Sequence, residues 1–334
     1  SREYLIHTPA QYFCNSKNFD SYFGFQYGGQ FYRFEHFDLL KNRPDLVLKT
    51  LGYAEPAYLG LLEKACQKRW EKHKINKAAA EAGTAVPKVV LTNKNTLPGR
   101  TTERKLRLQV EASDPAYPLS RLQVMVNEVP IFGPQGKDIS PAQSRKYTGS
   151  LELDLVSLKN LVEVQVWNNQ GIASLRAGHR VQFDGEIPKP DLYIVTIGVS
   201  RYRDSTMNLQ YAAKDASDVN NLFKSRFGAF RRIIPIQYLD EAVTKEKMQE
   251  LKAQLSQSRP EDRVIVFAAG HGLLDEKFDF YYASHDIDFS NPARRGISFE
   301  TLESLVSDIP ARQKILLLDA CHSGTGLRGE ARAG

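Results

Sequence analysis

Two short apolar runs, each closing on reactive residues, concentrate the chemistry of this chain. The first is Val264-Ile265-Val266-Phe267-Ala268-Ala269-Gly270-His271-Gly272. The second is Ile315-Leu316-Leu317-Leu318-Asp319-Ala320-Cys321-His322-Ser323-Gly324. A thiol and an imidazole make a nucleophile and its proton partner. Each run is aliphatic or β-branched and is stopped by glycine or a polar turn, so each reads as a fully buried strand. If the two strands are neighbours in a parallel sheet, His271 and Cys321 leave it at the same carboxyl edge. Open α/β sheets place their chemistry there. His322 is a rival base, but adjacent residues seldom aim their side chains at a common atom, and this favours His271.

The elements around these runs alternate. Residues 192–198 read as a buried strand, 212–227 as a helix and 233–239 as a strand. A helix over 244–255 comes next, opened by a capping Thr244. Then come a strand over 264–269, a helix over 299–306 and a strand over 314–318. Such repetition builds a parallel sheet with helices on both faces. Between 86 and 184 the apolar period is two. The short strands there, separated by Gly, Pro, Asn and Asp turns, predict an antiparallel β-sandwich of immunoglobulin type, a spacer or docking surface. At the amino end, Phe23 to Tyr27, Gly28-Gly29 and Gln30 to Arg33 read as a β-hairpin. A helix starts at Pro44-Asp45, and a second is expected over 56–80, with Leu59, Leu62, Cys66 and Trp70 at helical spacing. Cys66 therefore reads as a packed residue. The expected organisation is a β-hairpin segment over 1–36, a helical linker over 37–84, the β-sandwich over 85–186 and an α/β domain over 190–334.

Length and composition bound the rest. A chain of 334 residues suggests two or three domains. With 42% hydrophobic and 25% charged residues it is an ordinary folded protein. No apolar stretch approaches the roughly 20 residues a membrane helix needs, so no membrane partner is expected. The opening Ser1-Arg2-Glu3-Tyr4 shows no leader pattern and no initiator Met, and reads as the start of a piece of a longer chain. Three scattered cysteines, Cys14, Cys66 and Cys321, argue against a disulfide framework and for a reducing, cytoplasmic setting. No spacing suggests a structural metal. The net charge of +6 gathers in Lys64, Lys68, Arg69, Lys72, Lys74 and Lys77. Without interleaved aromatic residues this basic stretch reads as a solvated helix face rather than a nucleic-acid surface.

The paired runs resemble the caspase-fold cysteine peptidases, on the side of the metacaspases and bacterial caspase-like proteins. The matching features are Ala-Gly-His-Gly at 269–272, Asp-Ala-Cys-His-Ser-Gly at 319–324, and the block Leu209 to Ala216 after the first strand. The resemblance covers about residues 190 to 328, and the 50 residues from His271 to Cys321 are the separation seen in caspases. It implies that Cys321 attacks the peptide carbonyl as thiolate. His271 would stabilise the thiolate and protonate the leaving amine, and the oxyanion would rest on the N–H groups of Gly272 and Cys321. It also implies two acidic residues at the base of the pocket for the residue before the cut, here Asp319 and Asp215, favouring Arg or Lys. Peptide or protein would be the substrate, and the chemistry needs no cofactor. Calcium activation is known in the family, and His285-Asp286-Ile287-Asp288 is the local acidic stretch, but two carboxylates are few for calcium. A surface loop is the expected reading there.

The hairpin and Asn42 to Asp45 further resemble the segment just after a propeller in some multidomain caspase-like proteins. The fold normally continues with a small-subunit portion, whereas this chain stops 13 residues after Cys321. Arg328 and Arg332 would then mark a self-processing linker. The resulting expectation is an Arg/Lys-directed endopeptidase, the effector part of a larger bacterial protein, with a regulatory domain or partner. The alternative is an inactive caspase-like scaffold that binds partners.

Overall fold

The structure, a computed structural model, describes residues 4–16, 24–76, 78, 84–224 and 228–320. The chain divides into two units, residues 1–185 and 186–334.

The first unit opens with two ladders, β1 (Leu5–His7) on β2 (Phe13–Asn15) and β3 (Gly24–Tyr27) on β4 (Gln30–Arg33). Gly28 and Gly29 take φ of +57° and +77°, the paired left-handed residues of a tight hairpin turn. Phe23, placed in this hairpin by the sequence, lies outside the described residues. Helices α1 (Asp38–Lys41), α2 (Pro44–Leu51) and α3 (Pro56–Lys72) come next. The two longer ones start on proline, whose missing N–H would be unpaired in the first turn anyway. The described part of α3 ends at Lys72, short of the expected residue 80. Lys74 turns to φ +53°, its N–H reaches the Glu71 carbonyl at 3.1 Å, and the Ile75 N–H reaches the Trp70 carbonyl at 2.9 Å. That bond pair closes a helix over a left-handed residue, a position glycine usually takes. With lysine there, nothing in the sequence marks the stop. Cys66 is buried, as its helical spacing predicts.

The rest of this unit is a two-sheet β body. Its strands are β5 (Lys88–Leu91), β6 (Arg100–Thr101), β7 (Lys105–Ser113), β8 (Leu119–Val126), β9 (Val129–Pro130), β10 (Lys137–Asp138), β11 (Lys146–Asp154), β12 (Lys159–Asn168) and β13 (Ala177–Phe183). One sheet runs β10-β8-β12-β13-β6 with β9 on β8, and the other β11-β7-β5. β7 shows the reason for the strands: Leu106, Leu108, Val110 and Ala112 are buried and the residues between them are exposed. Tyr32, Phe37 and Leu40 bury against Val86 and Ile172, so the hairpin and first helix cover one end of the β body.

The second unit is the α/β domain. Strands β14 (Leu192–Gly198), β15 (Ile233–Leu239), β16 (Arg263–Ala269) and β20 (Gln313–Asp319) pair in the order β15-β14-β16-β20, all parallel. Helix α4 (Ala212–Lys224) joins β14 to β15, α5 (Lys245–Leu255) joins β15 to β16, and α6 (Phe299–Ser307) precedes β20. Residues 225–227 of the expected first helix lie outside the described residues. A short antiparallel sheet, β17 (Gly272–Leu274), β18 (Phe280–Tyr282) and β19 (Ile297–Ser298), sits between β16 and α6 in sequence.

Helices cover both faces. Val195 and Ile197 of β14 and Val264, Val266 and Ala268 of β16 share a core with Met248, Leu251 and Leu255 of α5 and Leu302 and Leu305 of α6. On the other face α4 lies so close to β14 that a Cβ on Gly198 would meet the Ala212 carbonyl at 2.6 Å. Thr244 and Ser298 cap α5 and α6 through their side-chain oxygens, as the sequence predicts for Thr244. β14 is completely buried, which is why it reads as an unbroken apolar run.

Candidate active site

In this strand order the chain leaves β14 one way, to β15, and leaves β16 the other way, to β20. The crevice outside the carboxyl ends of β14 and β16 is therefore the switch point where such sheets bind ligands. The register aligns Gly198, Ala269 and Asp319 across β14, β16 and β20. His271 stands two residues past the end of β16 at this edge and is partly exposed.

Five contacts fix His271. Its backbone N–H donates to the Tyr202 hydroxyl at 3.0 Å, and its carbonyl accepts from Ala283 N–H at 2.9 Å. Its ring Nε2 lies 2.9 Å from the Met207 carbonyl oxygen. A carbonyl only accepts, so Nε2 carries a proton, and Nδ1 is the nitrogen left to take up or release one. Tyr202 and Phe289 flank the ring at centroid distances of 5.2 and 5.9 Å. Burial pushes the Tyr202 phenol up to about 12 and the Tyr282 phenol well above its usual value, so both stay neutral at physiological pH.

Gly270 makes room for this arrangement. A Cβ there would sit 2.9 Å from the Tyr282 hydroxyl and 3.1 Å from that of Tyr202. The Tyr282 hydroxyl in turn donates to the Ala269 carbonyl at 2.6 Å. The N–H of Gly270 bonds the Asp319 carbonyl at 3.1 Å and so ties the β16 exit to the β20 exit. Val199 N–H bonds the Ala269 carbonyl at 3.1 Å and ties in β14. Beyond β14, Ser200 and Arg201 donate their N–H groups to Asp240, while Ser200 Oγ accepts from Ala213 N–H and so fixes the start of α4.

The structure brings three of the expected acidic and basic residues to one edge. Asp319 closes β20 and is exposed; Asp215 lies in the first turn of α4, whose start packs on Gly198, and is half-buried. Among the described residues neither carboxylate is held in an ion pair. Gly272 is buried at the start of β17, paired with Tyr282. Cys321, His322, Arg328 and Arg332 lie outside the described residues. Tyr202, Met207, Tyr282 and Phe289 were not anticipated from the sequence. Of these only Tyr202 had a signal, an aromatic residue just past a buried strand.

The calcium expectation meets two carboxylates already engaged. Asp286 pairs with Arg295 at 3.0 Å and accepts from Ser284 Oγ at 3.0 Å. Asp288 folds back onto the Ser290 hydroxyl at 2.6 Å and the Asn291 N–H at 3.2 Å. These residues do not make a calcium donor set, and among the described residues no group of three or more His, Cys, Asp or Glu side chains could hold a metal ion. No described helix is long and apolar enough to cross a membrane.

Residues 193–333 match the family model of the caspase domain of peptidase family C14. No curated protein matches the chain. Among solved structures, a protein of Geobacter sulfurreducens is similar at 18% identity and a TM-score of 0.33, over 41% of this chain and 52% of its own. The fibronectin(III)-like modules of Clostridium thermocellum CbhA are similar at 20% identity and a TM-score of 0.22, over 30% of this chain and 48% of theirs. The chain thus spans about half the length of each of these two structures.

Proposed function

Residues 193–333 carry a caspase domain, the fold of a cysteine-type peptidase family, and from that premise we propose that this chain is a cysteine endopeptidase working through His271 and Cys321. The observation that supports it best is the state of His271. Its ring is steered by the Met207 carbonyl so that Nδ1 is the basic nitrogen, at the edge toward which β20 leads the chain to Cys321. In the proposed reaction Nδ1 takes the thiol proton of Cys321 and the thiolate sulfur bonds the peptide carbonyl carbon. The tetrahedral oxyanion is met by the Gly272 and Cys321 N–H groups. The C–N bond breaks as Nδ1–H passes its proton to the leaving amine. Water then loses a proton to Nδ1 and attacks the thioester; the acid product leaves and the proton returns to the sulfur.

The substrate is proposed to be a peptide or protein cut after Arg or Lys. Asp215 and Asp319 share the sheet edge with His271, and among the described residues no ion pair neutralises them. Two carboxylates at a pocket base favour a guanidinium or ammonium group over an acid. The two-sheet β body, read as immunoglobulin-like, serves as spacer or docking surface, and the peptidase as the effector part of a larger bacterial protein.

The test is cleavage of fluorogenic peptides that differ only in the residue before the cut, Arg, Lys or Asp, by the full chain beside Cys321→Ala. Turnover of Arg or Lys peptides that vanishes in Cys321→Ala and weakens in Asp215→Ala and Asp319→Ala is expected. Preference for Asp would overturn the pocket and keep the dyad. Absence of turnover, with Cys321 unlabelled by a thiol-reactive peptide probe, would overturn the peptidase in favour of a scaffold.

A further inference from the structure

The amino-terminal unit holds a cavity of about 410 Å³, lined by Lys72, His73 and Lys74 at the end of α3, by Ser120 and Arg121 of β8, and by Asp138 of β10. Its size is that of a small-molecule pocket. Arg121 is partly buried there, and its guanidinium stacks on the Trp167 ring at 4.1 Å. Stacking satisfies the face of a guanidinium, not its N–H edge. The described hydrogen bond on that edge runs from Nη1 to His73 Nδ1 at 3.0 Å. Among the described residues no carboxylate pairs with Arg121. The single carboxylate in the lining, Asp138, is engaged by Lys74 at 2.8 Å and by the Ser140 hydroxyl at 2.6 Å.

His73 completes the arrangement. An arginine only donates, so His73 Nδ1 accepts and the neutral ring carries its proton on Nε2. Burial, then the neighbouring Arg121 and Lys72 charges, push His73 down to about 4, which keeps the ring neutral at physiological pH. The last carbonyls of α3 would repel an anion if bare, but those of Arg69, Trp70 and Glu71 accept from His73, Ile75 and Lys74 N–H groups. Lys74 and Asp138 occupy each other, and Arg121 is a cation of the lining that no described carboxylate pairs.

We propose that this cavity binds a small oxyanion, the phosphate or carboxylate group of a small molecule, held by the Arg121 guanidinium edge with the His73 Nε2–H as a further donor. Planar guanidinium edges match both oxyanions two bonds at a time. The site belongs to the β body and is independent of the peptidase reading.

The experiment uses the full chain at fixed ionic strength. The His73 ring resonances are followed by NMR, and heats by calorimetry, during separate titrations with inorganic phosphate and with citrate. Expected is a saturable shift of His73, with an affinity that falls roughly tenfold to a hundredfold in Arg121→Gln and falls less in Arg121→Lys, which keeps the charge without the fork. Saturation by phosphate alone identifies phosphoryl ligands, by citrate alone carboxylates, and by both the shared charge. The wild-type titration needs no variant: no saturable movement of His73 with either anion overturns the proposal. So does unchanged affinity in folded Arg121→Gln.

Discussion

The two ends of the parallel sheet are held in different ways. At the amino end the starts of β14, β15 and β16 are locked by charge. Asp191, 1% exposed, accepts from Arg231 Nε at 2.8 Å and from Arg232 Nη2 at 2.7 Å. Asp262 accepts the Asp191 N–H at 2.8 Å and is gripped by Arg259 at 2.8 Å. At the carboxyl end the groups that touch His271 are neutral: a carbonyl, a phenol, a phenyl ring and a backbone amide. The contrast amounts to a division of labour. The charged bonds at the amino end lie at the opposite end of the strands from the histidine, and at the carboxyl end the Arg201–Asp240 pair, at 3.0 Å, ties β14 to β15 without touching the ring. Stability and reactivity are thereby separable by mutation.

The largest effect tests the reactive end. His271→Ala is expected to lower peptide turnover by about a thousandfold or more, while the thermal midpoint moves little because the ring is partly exposed. Asp191→Ala tests the other end. It removes the acceptor of two arginines that are half exposed and can return to water, so the expected loss is about 2–3 kcal/mol of stability. Turnover per folded molecule should not change. A fall in specific activity for Asp191→Ala would break the division. The charge lock also has a pH signature. Arg231 and Arg232 hold the Asp191 carboxyl well below the usual carboxylate range. Its contribution is complete above the unfolded value of about 3.9 and is lost as pH falls through the lower folded value. Urea midpoints measured from pH 6 downward should therefore fall more steeply in wild type than in Asp191→Asn.

Gly270→Ala is the substitution that should join the two behaviours. The new methyl meets the Tyr282 hydroxyl, which is fully buried and bonded to Ala269, so it cannot simply swing away. Overpacking of this kind costs about 1–3 kcal/mol. Because the same methyl crowds the Tyr202 hydroxyl, turnover should fall as well, and a calorimetric scan beside a rate assay reads both. Loss of stability with full activity would mean that Tyr202 does not position the histidine.

Burial decides how much of this was legible in the sequence. The parallel strands announce themselves because both faces are covered: the expected strands over 192–198 and 233–239 coincide with β14 and β15, β16 begins one residue earlier than expected, and β20 extends one residue further at each end. His271 was legible as the polar residue just beyond such a run. Its partners were not. Tyr202 is 69 residues away in the chain and meets His271 only through the strand order. Met207 contributes a backbone carbonyl, which every residue has, so its side chain carries no signal. The end of α3 was hidden for a related reason, since Lys74 occupies a left-handed position without the glycine that would advertise it. The cavity beside it depends on that hidden turn.

Tyr202→Phe is the smallest of these changes and the most specific to positioning. It removes one oxygen, leaving the ring tilted against His271 and edge-on to Phe289. The His271 N–H then loses its acceptor in a place where water has little access, at a cost of about 1–2 kcal/mol. Binding of a peptide should be untouched, because the hydroxyl faces the backbone of the histidine rather than the crevice of the substrate. The rate should suffer, because a peptide unit freed to tilt carries the imidazole with it, and in the proposed reaction Nδ1 must keep its aim for both proton transfers. The expected result is kcat lowered about tenfold with KM unchanged. A raised KM at unchanged kcat would place Tyr202 in substrate binding, and an unchanged rate would leave the Met207 carbonyl as the group that alone sets the histidine.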